Sequence, residues 1–205
     1  MTPVSQAAER PAPGAPAPVR RLRRAERREQ ILAAATRAFA RTGFAATSLD
    51  DIAGEARISR VILYRHFDSK TDLYRAVLDR ACARLAGSVG TDNFTDDTIP
   101  ALLRAASDDP DGFRLLFRHA AREPEFRDVT DALAAAATDV ALRHLTAPIP
   151  DQRWARWASQ LAPTVAIEAV IAWLDAGQPD PDRAADRVGH AIGGVIQAAQ
   201  PPSAR

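Results

Sequence analysis

Apolar residues in the first half of the chain recur at helical spacing in four short bursts. Ile31, Leu32, Ala35 and Phe39 follow an i, i+1, i+4, i+8 order, which places them on one face of a first helix that Gly43 ends. Leu49, Ile52, Ala53 and Ala56 repeat the pattern over a second, short helix stopping near Arg57, with Thr47 and Asp50 spaced as a capping box. Ser59 is expected to cap a third helix reaching Phe67, and Ser69 a fourth whose inner stripe is Leu73, Val77, Ala81 and Leu85 and which Gly87 closes.

The polar, glycine-containing run SVGTDNFTDDT then breaks the pattern. Further helical stretches are predicted at about Thr98 to Ala106, Asp111 to Ala121, Pro124 to Leu145 and Gln152 to Ala176, separated by Asp109-Pro110, Glu123-Pro124 and the segment Thr146 to Pro150. Pro163 is expected to kink the long penultimate helix. Asp180-Pro181 reads as an N-cap with proline at the first helical position, opening a last helix to about Ala199. No segment alternates with strand period, so the fold class is all-α with roughly nine helices. The expected divisions are a disordered, Pro/Ala-rich and basic tail over 1–22, a unit of two short helices with their supporting helix over 23–69, and a larger helical part over 70–200.

Charge sharpens this division. Residues 1–85 carry sixteen Lys/Arg against nine Asp/Glu, whereas residues 86–205 carry eleven against seventeen, although the whole chain is only +1. A basic first part on an acidic remainder points to a polyanionic partner for that part alone, and favours nucleic acid over a membrane surface. The lone Cys82 cannot form an intramolecular disulfide, the proline-rich start lacks the apolar core of a signal peptide, and the most apolar long window, Ala132 to Leu145, is too short and too charged to span a membrane. A cytoplasmic protein without membrane, metal or cofactor is the expectation. His66, His119, His144 and His190 show no metal-ligand spacing, and no nucleophile or phosphate-loop motif occurs, so an enzyme is not expected.

The stretch ISRVILYRHF, residues 58–67, mixes aliphatic, cationic, hydroxyl and imidazole groups on a few turns. Leu63 and Phe67 lie one turn apart and are expected to face inward, leaving Arg60, Ile62, Tyr64 and His66 on the outer and flanking faces. A DNA major groove accepts this mixture: guanidinium on guanine N7 and O6, aliphatic groups on thymine methyls, and polar groups on phosphates. Two short helices joined by a turn and buttressed by a preceding helix describe a helix-turn-helix.

The segment Thr47 to Leu78, TSLDDIAGEARISRVILYRHFDSKTDLYRAVL, resembles the DNA-binding segment of the TetR family of transcriptional repressors. The specific matches are Ile52-Ala53, Ala56, Ile58-Ser59, Leu63-Tyr64, His66-Phe67, Lys70 and Leu73, with Gly43-Phe44 before them; the likeness covers roughly residues 24–85. The resemblance implies phosphate contacts from Tyr64, His66 and Lys70, backbone contacts from Thr47 and Ser48, and base reading by Arg60. Ser59, Ile62 and Arg65 complete the expected DNA face. The family often has glycine at the positions of Arg57 and Val61 and threonine at Ile62, so thymine-methyl contact near Ile62 and an added phosphate contact from Arg57 are expected. The run Arg20 to Arg28 fits either a minor-groove arm or a solvated helix start.

The resemblance further implies a repressor acting as a homodimer on a palindromic operator in double-stranded DNA and released by a small-molecule effector, its alternative being a DNA-binding regulator controlled by a protein partner or by abundance. Apolar Ala166, Ala169, Val170 and Trp173, with Val188, Ala191, Ile192, Val195 and Ile196, are the expected dimer surface on the last two helices. Phe113, Leu116, Phe117, Trp154, Trp157 and Leu161 are candidate pocket residues for an apolar effector, with Arg118, His119 and Arg122 as polar anchors.

Overall fold

In the computed structural model, which describes residues 24–90 and 93–201, the expected stripe of the first helix is its buried face. Ile31, Leu32, Ala35 and Phe39 of α1, Arg24–Ala46, are all essentially inaccessible. Gly43 adopts φ 78° and interrupts α1 where the sequence places its end, while a further turn runs to Ala46. The tail over 1–22 lies outside the described residues.

Ser48, not Thr47, caps α2, Leu49–Glu55. Its hydroxyl accepts the Asp51 amide (3.1 Å), and the Asp51 carboxylate accepts the Ser48 amide (2.9 Å) and hydroxyl (2.6 Å). Both residues fit the capping pattern by spacing. Burial decides between them, because the Thr47 side chain turns into the core and donates its hydroxyl to the Gly43 carbonyl at 2.7 Å. Helix α3 is only Arg60–Tyr64, followed by a tight turn in which the His66 and Phe67 amides bond the Leu63 carbonyl; Ser59 stands at its N-cap without a side-chain hydrogen bond. Ser69 does cap α4, Lys70–Val89, accepting the Asp72 amide at 3.0 Å. This helix runs through Gly87 and ends at Gly90, φ 79°, since Leu85 and Val89 are held against a core.

Beyond α4 the backbone departs from the simple pattern. After α5, Thr98–Asp108, and α6, Pro110–Arg114, residues Leu115–His119 form a π turn, then Ala120–Arg122 and Pro124–Phe126 are 3-10 turns leading to α7, Arg127–Leu145. The expected single helix over 111–121 is thus broken. The wide turn lets Leu115, Leu116 and Ala120 pack with α1 to α4 while Phe113 packs with α5 and α8. Helix α8, Gln152–Asp175, continues through Pro163; α9 spans Pro181–Ala199. Asp180 does not cap α9 with its side chain: its backbone is left-handed (φ 43°), and its carboxylate reaches Arg187 at 3.1 Å.

The nine α-helices among the described residues, with no strand, enclose three apolar clusters. One joins α1 to α4 with Leu115, Leu116, Ala120 and Phe126, so these four helices and the π segment share a core. Tyr74 lies in it, fully buried against Phe39 (4.8 Å) and Phe126 (4.5 Å), its hydroxyl without a partner and its ionisation opposed by burial. The second cluster joins α5, α6, α8 and α9, and the third α7, α8 and the end of α9. By length and composition α8, rather than any window in α7, is apolar enough to cross a membrane; here one face of it packs on α7 and α9.

Candidate nucleic-acid interface

At about 100° per residue, the anchoring of α3 determines which side chains face out. Leu63 (0% exposed) and Phe67 (5%) are sealed into the first cluster. Directly opposite Leu63 lie Val61 and Arg65, with Arg60 and Tyr64 along one flank and Ile62 and His66 along the other. Exposure follows this arrangement: Val61 is 63% and Tyr64 44% exposed, Arg60 and Arg65 are exposed, and Ile62 and His66 are half-buried. Val61 is therefore the most outward apolar group on the face and was not among the expected contact residues. Its angular distance from Leu63 is the sequence signal that identifies it.

Arg60 is held in place. Its Nη1 donates to Asp50 of α2 at 3.1 Å, its Nη2 to the Tyr64 hydroxyl at 3.3 Å, and the guanidinium lies 5.6 Å from the Tyr64 ring centre. On the opposite flank the start of α1 assembles a basic rim. Arg28 sits 5.0 Å over the Phe67 ring, and His66 is held below its ordinary pKa by burial and by the charges of Arg24, Arg27 and Arg28. Arg57 occupies a left-handed conformation, φ 53°, in the turn between α2 and α3, which accounts for the glycine common at this position in the family it resembles.

Three expected contacts are arranged otherwise. Thr47 is 2% exposed and its side chain is spent inside. The Ser48 hydroxyl is engaged with Asp51, whose carboxyl those Ser48 hydrogen bonds hold below the usual range. The Lys70 ammonium donates to the carbonyls of Phe44 (2.8 Å), Thr47 (3.1 Å) and Ala45 (3.4 Å) and lies 4.4 Å over the Phe44 ring. It thus closes the end of α1 against the helix dipole.

The expected pocket residues do not come together. Phe113 and Leu116 line a half-open cavity of about 230 Å³ between α4, α5 and α6, beside Leu85, Arg84 and Asp109, and the Phe117 ring packs tilted against Phe113 at 4.8 Å. Trp154 (48% exposed) and Trp157 (39%) instead pair edge to face on the outer surface of α8, because Ala155 and Ala158 take its inner face; Leu161 is half-buried nearby. Arg118 is bound to Asp175 at 2.7 Å, and Arg122 is exposed. Burial first, then Arg122 and Arg118, holds the pKa of His119 below the ordinary value. Of the expected dimer surface, Ala166, Val170 and Val188 are buried within the chain, while Ala191 is exposed and Ala169, Trp173, Ile192, Val195 and Ile196 are half-buried.

Residues 31–77 match the family model described as bacterial regulatory proteins, tetR family. The transcriptional activator FasR of Mycolicibacterium smegmatis is 37% identical over 128 residues, 58% of this chain and 58% of that protein. A transcriptional repressor of Streptomyces coelicolor is 36% identical over 89 residues, 43% of this chain and 46% of that one, so the match spans about half the length of these relatives. A TetR-like transcriptional regulator from Rhodococcus sp. RHA1 shares the fold, with a TM-score of 0.74 over 86% of this chain and 99% of that chain at 22% identity. The first two of these relatives are both named as transcriptional regulators. It is in the segment 31–77, which carries α2, α3 and their buried anchors, that the chain is similar to the tetR family of bacterial regulatory proteins.

Proposed function

We propose that this chain regulates transcription by binding a palindromic operator as a homodimer, through the outward face of α3, and that a small-molecule effector controls the binding. The observation that carries this reading is the anchoring of α3 by Leu63 and Phe67, which leaves Arg60, Val61, Tyr64 and Arg65 turned outward beside a rim of Arg24, Arg27 and Arg28. Arg60 suits a guanine edge, Val61 and Ile62 suit thymine methyls, and Tyr64, Arg65, His66 and Arg57 suit phosphates. The two relatives named above are an activator and a repressor. Operator occupancy is accordingly the core of the reading, and repression follows where the operator overlaps a promoter.

Pairing of two copies is supported by apolar surface left on α9: Ala191, Ile192, Val195 and Ile196 run beside Gly193 and Gly194, where open space surrounds the position of an added Cβ. A two-fold axis there would set two α3 helices on successive turns of one duplex face. The cavity beside Phe113 and Leu116 is the place for an effector, and the π segment offers it a route to DNA. Arg118, with Arg114 just before the segment, ties it to Asp175 of α8, whereas Leu115 and Leu116 pack it into the cluster with α1. An effector that favours one arrangement of the segment shifts the spacing of the two reading heads. The exposed Trp154–Trp157 pair favours a second reading, control by a protein partner seated on α8.

Selection of duplexes from a random pool by the full chain tests the main claim. A palindromic consensus lost on Arg60→Ala is expected, and retention of no sequence by the wild type overturns it. An effector is expected to raise Tm and weaken operator binding together; failure of every compound to do both leaves control to the protein partner.

A further inference from the structure

Beside the outward face of α3 stands one feature that DNA binding in general does not require. A carboxylate, Asp50, stands on the side of the reading head, in the first turn of α2, 69% exposed and 3.1 Å from Nη1 of Arg60. Placed among phosphates, a carboxylate opposes binding. Capping does not account for it, because Ser48 and Asp51 already close that helix end reciprocally.

We propose that Asp50 is a positioning residue that presents Arg60 to a guanine, and so determines specificity at one base of each half-site. A guanidinium has five N–H donors in a planar fork. Two of them are engaged, one on Asp50 and one on the Tyr64 hydroxyl. The Nε–H and one hydrogen on each terminal nitrogen remain, enough for the two parallel bonds that guanine N7 and O6 accept. Fixing the plane from two sides restricts a long, flexible side chain before it meets DNA, so less freedom is lost on reading the base. The carboxylate also lowers affinity for phosphates nearby, so an Arg60 that has not found its guanine gains less from a wrong site. The inference rests on the reading of α3 as the DNA-contacting helix.

The test is duplex selection from a random pool, followed by anisotropy titrations of the selected duplex and of single-base variants, with full-length wild type, Asp50→Asn, Asp50→Glu, Tyr64→Phe, Arg60→Ala and the double variant D50N/R60A. Arg60→Ala is expected to abolish preference at one guanine, a loss of roughly tenfold or more. Asp50→Asn is expected to lower preference at that same base by roughly fivefold, to leave the other positions as they were, and to hold or raise affinity for random duplex. Asp50→Glu, which keeps the charge on a longer stem, restores part of the preference, and Tyr64→Phe loses part of it. D50N/R60A is expected to match Arg60→Ala alone, as two residues acting through one contact must. A merely structural Asp50 would weaken all positions alike and lower Tm. Unchanged preference at the guanine in Asp50→Asn, or a uniform loss across the site, overturns the inference while leaving DNA binding intact; a wild type that selects no sequence overturns both.

Discussion

Replacing Lys70 by methionine separates two roles for one cation. In a phosphate-contacting role, its loss reduces the dependence of log K on log salt by about 0.9 for each protomer bound. In the structure the ammonium instead holds the end of α1, with carbonyls of Phe44 and Thr47 at 2.8 and 3.1 Å and that of Ala45 at 3.4 Å. Methionine keeps the stem over Phe44 and removes only the charge and the donors. A hydrogen bond from a charged group contributes about 1.5 to 3 kcal/mol when its partner is left unsatisfied. These carbonyls lie where water can reach them in part, so the two short bonds together should be worth about 2 kcal/mol. For a chain of this size that corresponds to a fall in Tm of roughly 4 to 8 °C. Urea unfolding and salt-dependent operator titrations on the same preparations give both readouts. The expected result is lower stability with an unchanged salt slope. A slope reduced by about one phosphate for each protomer with stability unaltered would refute the structural role and restore the phosphate contact.

Leu63→Ala should cost about 3 to 5 kcal/mol in urea unfolding, because a fully buried anchor leaves a cavity behind α3; a cost below about 1 kcal/mol would mean that α3 is not held from behind. Arg57→Gly relieves a left-handed residue and is expected to raise stability by about 0.5 to 1 kcal/mol. The same variant should lower the salt slope by about 0.9 for each protomer bound if Arg57 meets a phosphate, and an unaltered slope rejects that contact. His66 is depressed below its ordinary pKa of 6.5, by burial first and then by the arginines of α1, so the unfolded chain takes up its proton before the folded one does. Stability should therefore be unaffected by His66 above about pH 6.5 and should decline as pH falls below it. His66→Gln should show a shallower decline between pH 7.5 and 5.5 in urea unfolding, and parallel curves would exclude the effect.

The chain order of apolar positions was sufficient for the existence of the first four helices, though not for all of their ends, and for the inward pair of α3. Those features follow from one repeating constraint, that a helix buries one stripe, and Ile31, Leu32, Leu63 and Phe67 obey it locally. Basic charge concentrated in residues 1–85 and the mixed chemistry of 58–67 suggested the proposed nucleic-acid face for the same reason: each side chain's direction depended on neighbours within two turns. What tertiary structure decided was competition for side chains between distant segments. Thr47 and Ser48 fit the capping pattern equally, and burial against Gly43 assigned the role to Ser48. Lys70 is separated by 23 residues from the Thr47 carbonyl it binds, and Asp50 by ten from the Arg60 it orients, so no periodicity could connect them. The π turn at Leu115–His119 and the outward Trp154 and Trp157 likewise depend on which neighbouring cluster a face packs against. Local patterns determine which face of a helix is apolar; only the assembled helices determine what meets that face, and which polar groups are already satisfied before a partner arrives.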